Sequence, residues 1–175
     1  MFIKKKKLKM KTSLSNNIKY DIVVACPVMK NNKNISMMVR SASCFGASKI
    51  IITGNNKVNQ HISRHCGIEI EYRNSIDPVI KNYKTLGYHI IALEQCQDSK
   101  NLHEFSFPDI PLLIVVGNEV RGMDKDIMCQ AHDIVEIPLY NEPYSLNVAM
   151  SLSICMSEIV RQREKKEYYN YEKSR

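Results

Sequence analysis

Long hydrophobic runs are missing from this sequence. No stretch approaches the roughly 20 apolar residues that a membrane-spanning helix requires, so a membrane-spanning protein is not expected. The amino-terminal segment MFIKKKKLKMKTS also lacks the apolar centre of a secretory signal. We therefore expect a soluble protein of the cytoplasm, with an organelle as the open alternative.

Paired cysteines are missing as well. The six cysteines are scattered singly, without a Cys-x-x-Cys motif, which favours reduced thiols with a structural role. His61, His65 and Cys66 form the one cluster of metal-ligand residue types. This cluster lacks the glutamate of an H-E-x-x-H motif and the second cysteine pair that would complete a zinc site. We therefore expect surface histidines here and no metal.

Nothing in the sequence marks a second domain. The chain has 175 residues, of which 44% are hydrophobic, and it contains no internal repeat, low-complexity linker or shift in composition. This length is enough for one domain with a sizeable core. We expect a basic, disordered tail at 1–15, one folded domain at 16–163 and a charged helical extension or tail at 164–175.

The net charge of +7 is unevenly distributed. Residues 1–11 contain six lysines and no acidic residue, and residues 161–175 contain six basic and three acidic residues. Residues 12–160 hold 13 basic and 15 acidic residues, a net charge of −2. Basic tails can bind nucleic acid phosphates without reading sequence, but a lysine run can equally be a solvated terminus that only aids solubility. Both interpretations stay open.

Short apolar, β-rich runs alternate with helical patterns along the chain. The strand-like runs lie at 20–28, 49–53, 68–72, 88–93, 111–116 and 133–137. Helical patterns lie at 34–46, 57–65, 75–86 and 124–131, and in a long segment from about residue 145 into the 160s. This alternation predicts an α/β fold, in which helices cover both faces of a mostly parallel sheet.

The first motif is NNKNISMMVRSASCFGASKI at 31–50. A helix that starts with Asn34 as its N-cap and stops at Gly46 has one apolar stripe, made of Ile35, Met38, Val39, Ala42 and Phe45. The residues expected to point away from the core are Ser36, Met37, Arg40 and Cys44. Taken alone, the pattern is typical of an ordinary amphipathic helix with a solvent-exposed arginine.

The second motif is LLIVVGNEVRGM at 112–123. An apolar run ends at Gly117, Asn118 and Glu119, as in a buried strand whose carboxyl end opens into a ligand-binding loop. Met123 stands where a P-loop of the form G-x-x-x-x-G-K-[ST] requires lysine. The G-x-G-x-x-G fingerprint is also absent, which disfavours an oxidoreductase that binds a nicotinamide cofactor.

The third motif is VEIPLYNEPYSLNVAMSLSICMSEI at 135–159. A buried strand leads through a turn at Pro138 to a long helix, for which Ser145 is the expected N-cap. A backbone of this kind can wrap a small ligand while its flanks are buried. Taken alone, the pattern is only a good helix start.

Together and in this order, the three motifs resemble motifs 1, 2 and 3 of the SpoU/TrmH RNA ribose methyltransferases, and the similarity extends from residue 20 to about residue 163. The resemblance implies S-adenosyl-L-methionine as the cofactor and a deep trefoil knot in the carboxyl-terminal half. It also implies an obligate homodimer with active sites at the interface. Composition and periodicity could not have predicted the knot, because knots are rare in proteins generally.

The resemblance also implies which residues form the site. The cofactor would be held around Gly117, Asn118, Gly122, Ile137, Leu139, Ser145, Leu146 and Asn147. The catalytic set would be Asn34, Arg40, Glu119, Ser145 and Asn147. Because arginine is effectively always protonated, Arg40 would polarise the ribose 2′-hydroxyl and bind a substrate phosphate, and Asn34 and Glu119 would orient Arg40 and the ribose.

Two positions depart from the family pattern. Ser36 stands where many members have glycine, and Asn141 replaces a glycine that is common in the loop before Ser145. Since asparagine adopts positive φ less readily than glycine, Asn141 could alter the cofactor loop and activity.

The chain resembles the single-domain members that modify a guanosine in the D-loop of tRNA, without the extra RNA-binding domain of several rRNA-directed relatives. We therefore favour tRNA as the substrate. The alternatives are rRNA 2′-O-methylation or a catalytically silent RNA-binding scaffold dimer.

Overall fold

The computed structural model describes residues 19–141 and 145–173, with side chains as far as residue 164. Its strands are β1 Tyr20–Cys26, β2 Ala47–Thr53, β3 Glu69–Arg73, β4 His89–Leu93, β5 Lys100–Asn101, β6 Leu112–Val116 and β7 Asp133–Glu136. Its helices are α1 Asn32–Cys44, α2 Gln60–His65, α3 Asp77–Thr85, α4 Lys125–Met128 and α5 Val148–Lys173. All six predicted strands are present, and β5 was not predicted.

The seven strands form one sheet in the order β3-β2-β1-β6-β4-β7-β5, and all the pairs are parallel. Strand β6 lies between β1 and β4, so that Ile114 is flanked by Val24 on one side and Ile91 on the other. All five residues of β6 are buried. Strands buried on both faces have continuous apolar sequences, which explains why LLIVV shows no alternation.

Alternate residues of β1 contribute to two separate cores, one on each face of the sheet. Ile22 and Val24 belong to the core that contains the apolar residues of α1 and α5. Val23 and Ala25 belong to the core that contains those of α3. The α/β fold with a mostly parallel sheet and helices on both faces is therefore confirmed.

Helix α1 begins differently from the prediction. Its N-cap is Asn31, whose side-chain oxygen accepts a hydrogen bond from the Lys33 N–H at 2.9 Å, so the assignment of Asn34 as N-cap is wrong. Ser36 was expected to point away from the core but is buried, and its hydroxyl accepts a hydrogen bond from the Asn59 N–H at 3.2 Å. Gly46, with φ of 72°, follows the end of the helix, as predicted.

Helix α5 also begins later than predicted. Asn147 accepts the Ala149 N–H with its side-chain oxygen at 2.9 Å, so Asn147 caps the helix and the assignment of Ser145 as N-cap is wrong. The helical backbone then continues to Lys173. The expected tail at 1–15 lies outside the described residues, and the division into domains stays a prediction.

Among the described helices, none combines the length and the apolarity that crossing a membrane requires.

Candidate functional site

A cavity of about 530 Å³ opens at the carboxyl edge of the sheet, where β4 and β6 end. Four segments line it: Asn34 of α1, the end of β4 with Glu94, the loop from Gly117 to Gly122, and the residues around Leu146 at the start of α5. Open α/β sheets generally bind their ligands at this edge. The second and third sequence motifs therefore meet at one cavity.

The loop after β6 is closed by its own hydrogen bonds. Asn118 and Gly122 exchange two backbone hydrogen bonds of 2.8 and 3.0 Å, and Gly122 has φ of 68°, a conformation that glycine tolerates best. The side-chain oxygen of Asn118 accepts the N–H groups of Val120 and Arg121, while its amide donates to the Val28 carbonyl at 2.7 Å. The side chain of Asn118 thus holds the loop in shape.

Three polar side chains, one from each motif, meet at the rim of this cavity. The Asn34 amide donates a hydrogen bond to Glu119 Oε1 at 2.9 Å, and the Asn147 amide donates to Asn34 Oδ1 at 3.0 Å. Asn34, Glu119 and Asn147 all line the cavity, and we call them the polar cluster. The structure therefore brings together three of the five predicted catalytic residues.

The surroundings of Glu119 keep it ionised. Burial alone would raise the pKa of its carboxyl, but hydrogen bonds from the Asn34 amide and from the backbone N–H groups of Lys30 and Asn31 outweigh burial and lower the pKa. At neutral pH Glu119 is therefore a hydrogen-bond acceptor and has no proton to give. It fixes the Asn34 amide in one orientation, since only the NH₂ end of that amide can donate to a carboxylate.

A second, smaller cavity of about 110 Å³ adjoins the first. Its lining includes the predicted cofactor residues Ile137 and Leu139, and Ser145 and Leu146 line both cavities. The two cavities share five lining residues, and Leu93, Ile137, Leu139 and Leu146 give the smaller one an apolar wall. All eight predicted cofactor residues line one cavity or the other. Ile137 and Leu139 line only the smaller cavity, and Gly117, Asn118 and Gly122 belong to the loop that follows β6.

Glu94 lines both cavities and was missed by the sequence prediction. A side-chain carbon at Gly122 would lie 3.1 Å from Glu94 Oε2, and one at Gly117 would collide with the same oxygen. The two glycines therefore make room for this carboxylate. A signal was present in the sequence, since Glu94 directly follows a buried strand, as Gly117 does.

Arg40 lies apart from the polar cluster within one chain. It is exposed, and six residues along α1 place it about 120° around the helix from Asn34, at roughly 100° per residue. The side chain of Arg40 makes no hydrogen bond or ion pair with the residues that the structure describes. Within a single chain, Arg40 therefore does not face the polar cluster with which its predicted catalytic role would require it to act.

The histidines of α2 stack on one another at its exposed surface. The rings of His61 and His65 lie 4.2 Å apart, and His65 Nδ1 lies 2.6 Å from the His61 carbonyl oxygen. Over residues 19–141 and 145–164, no group of His, Cys, Asp and Glu side chains is arranged to hold a metal ion.

Known proteins share this sequence and architecture. Residues 21–157 match the model of the SpoU rRNA Methylase family. A tRNA (guanosine(18)-2′-O)-methyltransferase from Aquifex aeolicus is 29% identical, over 94% of this chain and 81% of the relative. The chain spans less than half the length of several other curated relatives that it matches.

Solved structures agree with this result. The crystal structure of the A. aeolicus TrmH/SpoU tRNA modifying enzyme superimposes with a TM-score of 0.77 and 28% identity, over 88% of this chain and 81% of that one. The SpoU methyltransferase AviRb from Streptomyces viridochromogenes, in complex with AdoMet, has the same fold, with a TM-score of 0.68 and 22% identity over 82% and 60% of the two chains. The sequence prediction of the family is confirmed. Because the family model matches most of its length, the chain belongs to the SpoU rRNA Methylase family.

Proposed function

We propose that the protein transfers a methyl group from S-adenosyl-L-methionine to a ribose 2′-hydroxyl of RNA. The observation that carries this proposal is the polar cluster Asn34, Glu119 and Asn147 at the rim of a cavity of about 530 Å³. Cavities of roughly 300–1,000 Å³ are typical of small-molecule sites. Family membership supplies the class of enzyme, an RNA methylase.

The cavity residues fit S-adenosyl-L-methionine. Ile137, Leu139 and Leu146 offer an apolar wall suited to an adenine ring. Among the described residues the Glu94 carboxylate accepts a hydrogen bond from the Gln95 N–H, and it can accept others from ribose hydroxyls or an ammonium group. When bound, the cofactor supplies an electrophilic methyl group on a sulfonium.

The reaction requires positioning above all. The cofactor would supply the methyl group from its sulfonium, and the ribose 2′-hydroxyl would pass its proton to an adjacent substrate phosphate or to water. Asn34, held between Glu119 and Asn147, presents an amide whose orientation is set before the ribose arrives. Arg40 polarises the hydroxyl and binds an adjacent phosphate, in agreement with the family resemblance.

A homodimer gives Arg40 access to a site. Met37, Arg40 and Cys44 follow one exposed stripe of α1, and Met37 is 48% exposed. Met150 on the neighbouring helix α5 is 52% exposed, and the hydroxyls of Ser41 and Ser153 join the two helices at 2.7 Å. Exposed methionines on packed helices form the kind of apolar surface that a second copy buries. We place Arg40 at the active site of the partner.

Mixed dimers test this placement. Arg40→Ala and Asn34→Ala protomers, each strongly impaired alone, regain activity when mixed if Arg40 and Asn34 serve one site from different chains. Activity that stays absent in proven mixed dimers would contradict the placement. Sedimentation of the wild-type protein at micromolar concentration should show a dimer, and a stable, active monomer would contradict the shared site.

The proposed substrate is tRNA, at a guanosine of the D-loop, rather than rRNA. The name of the Aquifex relative supports this choice, since it aligns with 94% of this chain. Mapping of 2′-O-methyl groups in tRNA and rRNA after deletion of the gene would decide between the two substrates. Calorimetric titration with S-adenosyl-L-methionine separates the enzyme from a scaffold that has lost its cofactor.

A trefoil knot in the carboxyl-terminal half is part of the same proposal. Family resemblance supports it, together with a strand order in which β6 enters between β1 and β4 while β7 lies beyond β4. The cytoplasmic location stays a prediction.

A further inference from the structure

Positive and negative charges are concentrated in different parts of the folded chain. Between Asp21 and Glu69 the sequence contains no acidic residue and six lysine and arginine residues, a net charge of +6. Residues 69–160 contain six basic and fourteen acidic residues, a net charge of −8. The near-neutral sum of residues 12–160 conceals this asymmetry. Because residues 22–68 form β1, α1, β2 and α2, the asymmetry in sequence is also an asymmetry in space.

Most of the basic groups in this segment are unpaired. Lys49 is the exception, since its ammonium group lies 3.0 Å from Glu69 and 2.8 Å from Glu71. The other five are exposed and form no ion pair with the residues that the structure describes. These five are Lys30, Lys33, Arg40, Lys57 and Arg64.

Hydrogen bonds connect the segments that carry Lys30, Lys33 and Lys57, and we call these three exposed lysines the basic surface. The Asn56 side chain makes two hydrogen bonds to the backbone of Met29. Its oxygen accepts the Met29 N–H at 2.7 Å, and its amide donates to the Met29 carbonyl at 2.9 Å. Asn32 Oδ1 accepts the Asn56 amide at 2.8 Å and the Lys57 N–H at 3.3 Å. The start of α1 is thus fixed against the segment that follows β2.

The basic surface adjoins the polar cluster. The backbone N–H of Lys30 donates to Glu119 at 3.0 Å, and Lys33 immediately precedes Asn34. The first turn of α1 contains no acidic residue, but the Glu119 carboxylate accepts the N–H groups of Lys30 and Asn31 just before it and offsets the positive end of the helix dipole, so the positive charge of this surface comes from the lysine side chains. A ribose at the polar cluster would have its neighbouring phosphates within reach of this surface.

The basic residues at the described end of α5 are engaged within the protein. Arg161 is ion-paired with Glu158. Arg163 donates to the Ile110 carbonyl at 3.0 Å and lies over the ring of Tyr20, 5.5 Å from its centroid. Neither is as available to a polyanion as the unpaired lysines of the basic surface.

We propose that the basic surface binds the phosphate backbone of the RNA on either side of the methylated ribose. This inference rests on the proposed function for the identity of the polyanion. Contacts of this kind fix the position of a nucleic acid without reading its sequence. The lysines of the basic surface therefore set RNA affinity, and the cavity binds the cofactor independently of them.

The test compares two double variants that remove equal charge. K33Q/K57Q changes the basic surface, and K84Q/K125Q changes exposed lysines in the acidic part of the chain. Binding of an in vitro transcribed tRNA is measured by fluorescence anisotropy over a series of salt concentrations. For K33Q/K57Q the slope of log affinity against log salt should become shallower by roughly 1.4 to 1.8, since each lost phosphate contact contributes about 0.7 to 0.9. The slope for K84Q/K125Q should equal that of the wild type.

Calorimetry with S-adenosyl-L-methionine accompanies the RNA measurement. Unchanged cofactor affinity in K33Q/K57Q, together with the shallower slope, supports the basic surface. Equal slopes for the two double variants would overturn it and leave the proposed function standing. Wild-type protein that binds RNA but not the cofactor would overturn the proposed methyl transfer instead, and wild-type protein that binds no RNA would overturn both.

Discussion

Replacement of Asn34 by alanine removes the central member of the polar cluster. Asn34 is only 8% exposed, and its side chain makes one hydrogen bond to the Glu119 carboxylate and one to the Asn147 amide. A hydrogen bond to a charged group contributes about 1.5–3 kcal/mol to stability, and one between neutral groups about 0.5–1.5 kcal/mol. We expect the free energy of unfolding to fall by about 2–4 kcal/mol. Methyl transfer should fall by about 100-fold, the typical cost of small displacements in a positioned site.

Asn59→Ala is the control, since it also shortens an asparagine that makes a side-chain hydrogen bond, but Asn59 caps α2 and lines neither cavity. Asn59 is exposed and makes one side-chain hydrogen bond, from the His61 N–H at 2.9 Å, so its loss should cost about 1 kcal/mol and leave methyl transfer unchanged. Urea unfolding followed by far-UV circular dichroism measures the free energy of unfolding. Transfer of a labelled methyl group to tRNA measures the activity. Equal stability and equal activity of the two variants would refute the polar cluster as the centre of the site.

Three further variants test separate parts of the structure. Arg40→Ala should keep the fold and the cofactor affinity but lower methyl transfer by orders of magnitude, because Arg40 acts in the transition state; if the variant unfolds, the arginine is structural. Leu146→Arg should abolish cofactor binding in calorimetry, because it puts a charge into the cavity, and a folded variant with wild-type affinity would contradict the pocket. Burial, with the neighbouring His89 and Lys84, lowers the pKa of His132, whose Nδ1 accepts the Ile90 N–H at 2.8 Å. Folding therefore favours the neutral form of His132, and the free energy of unfolding should fall as the pH drops below the ordinary histidine pKa of about 6.5. His132→Asn should flatten this pH dependence in unfolding measurements across pH 7 to 5.

Hydrophobic periodicity predicts most of the fold, because buried strands and amphipathic helices differ in the spacing of their apolar residues. Strand β5 escapes this signal. It consists of Lys100 and Asn101, two residues without an apolar pattern, and it exists through pairing with Val135 and Glu136. Only the folded sheet provides that partner.

The site is predicted less completely than the fold, and Asn34 shows why. Asn31, Asn32 and Asn34 are all able to cap a helix, and the sequence does not rank them. The choice depends on Glu119, 85 positions further along the chain, which binds the Asn34 amide and leaves Asn31 as the cap. Contacts over that separation are decided by tertiary structure.

Glu94 and Gly117 place a condition on how this chain can diverge. Any residue larger than glycine at position 117 collides with the carboxylate of Glu94, and the same carboxylate lies close to Gly122. A larger residue at position 117 therefore requires the Glu94 carboxylate to turn away from the loop or residue 94 to be shorter. Positions 94 and 117 should thus vary together among descendants of this chain, since the space that one side chain occupies is denied to the other.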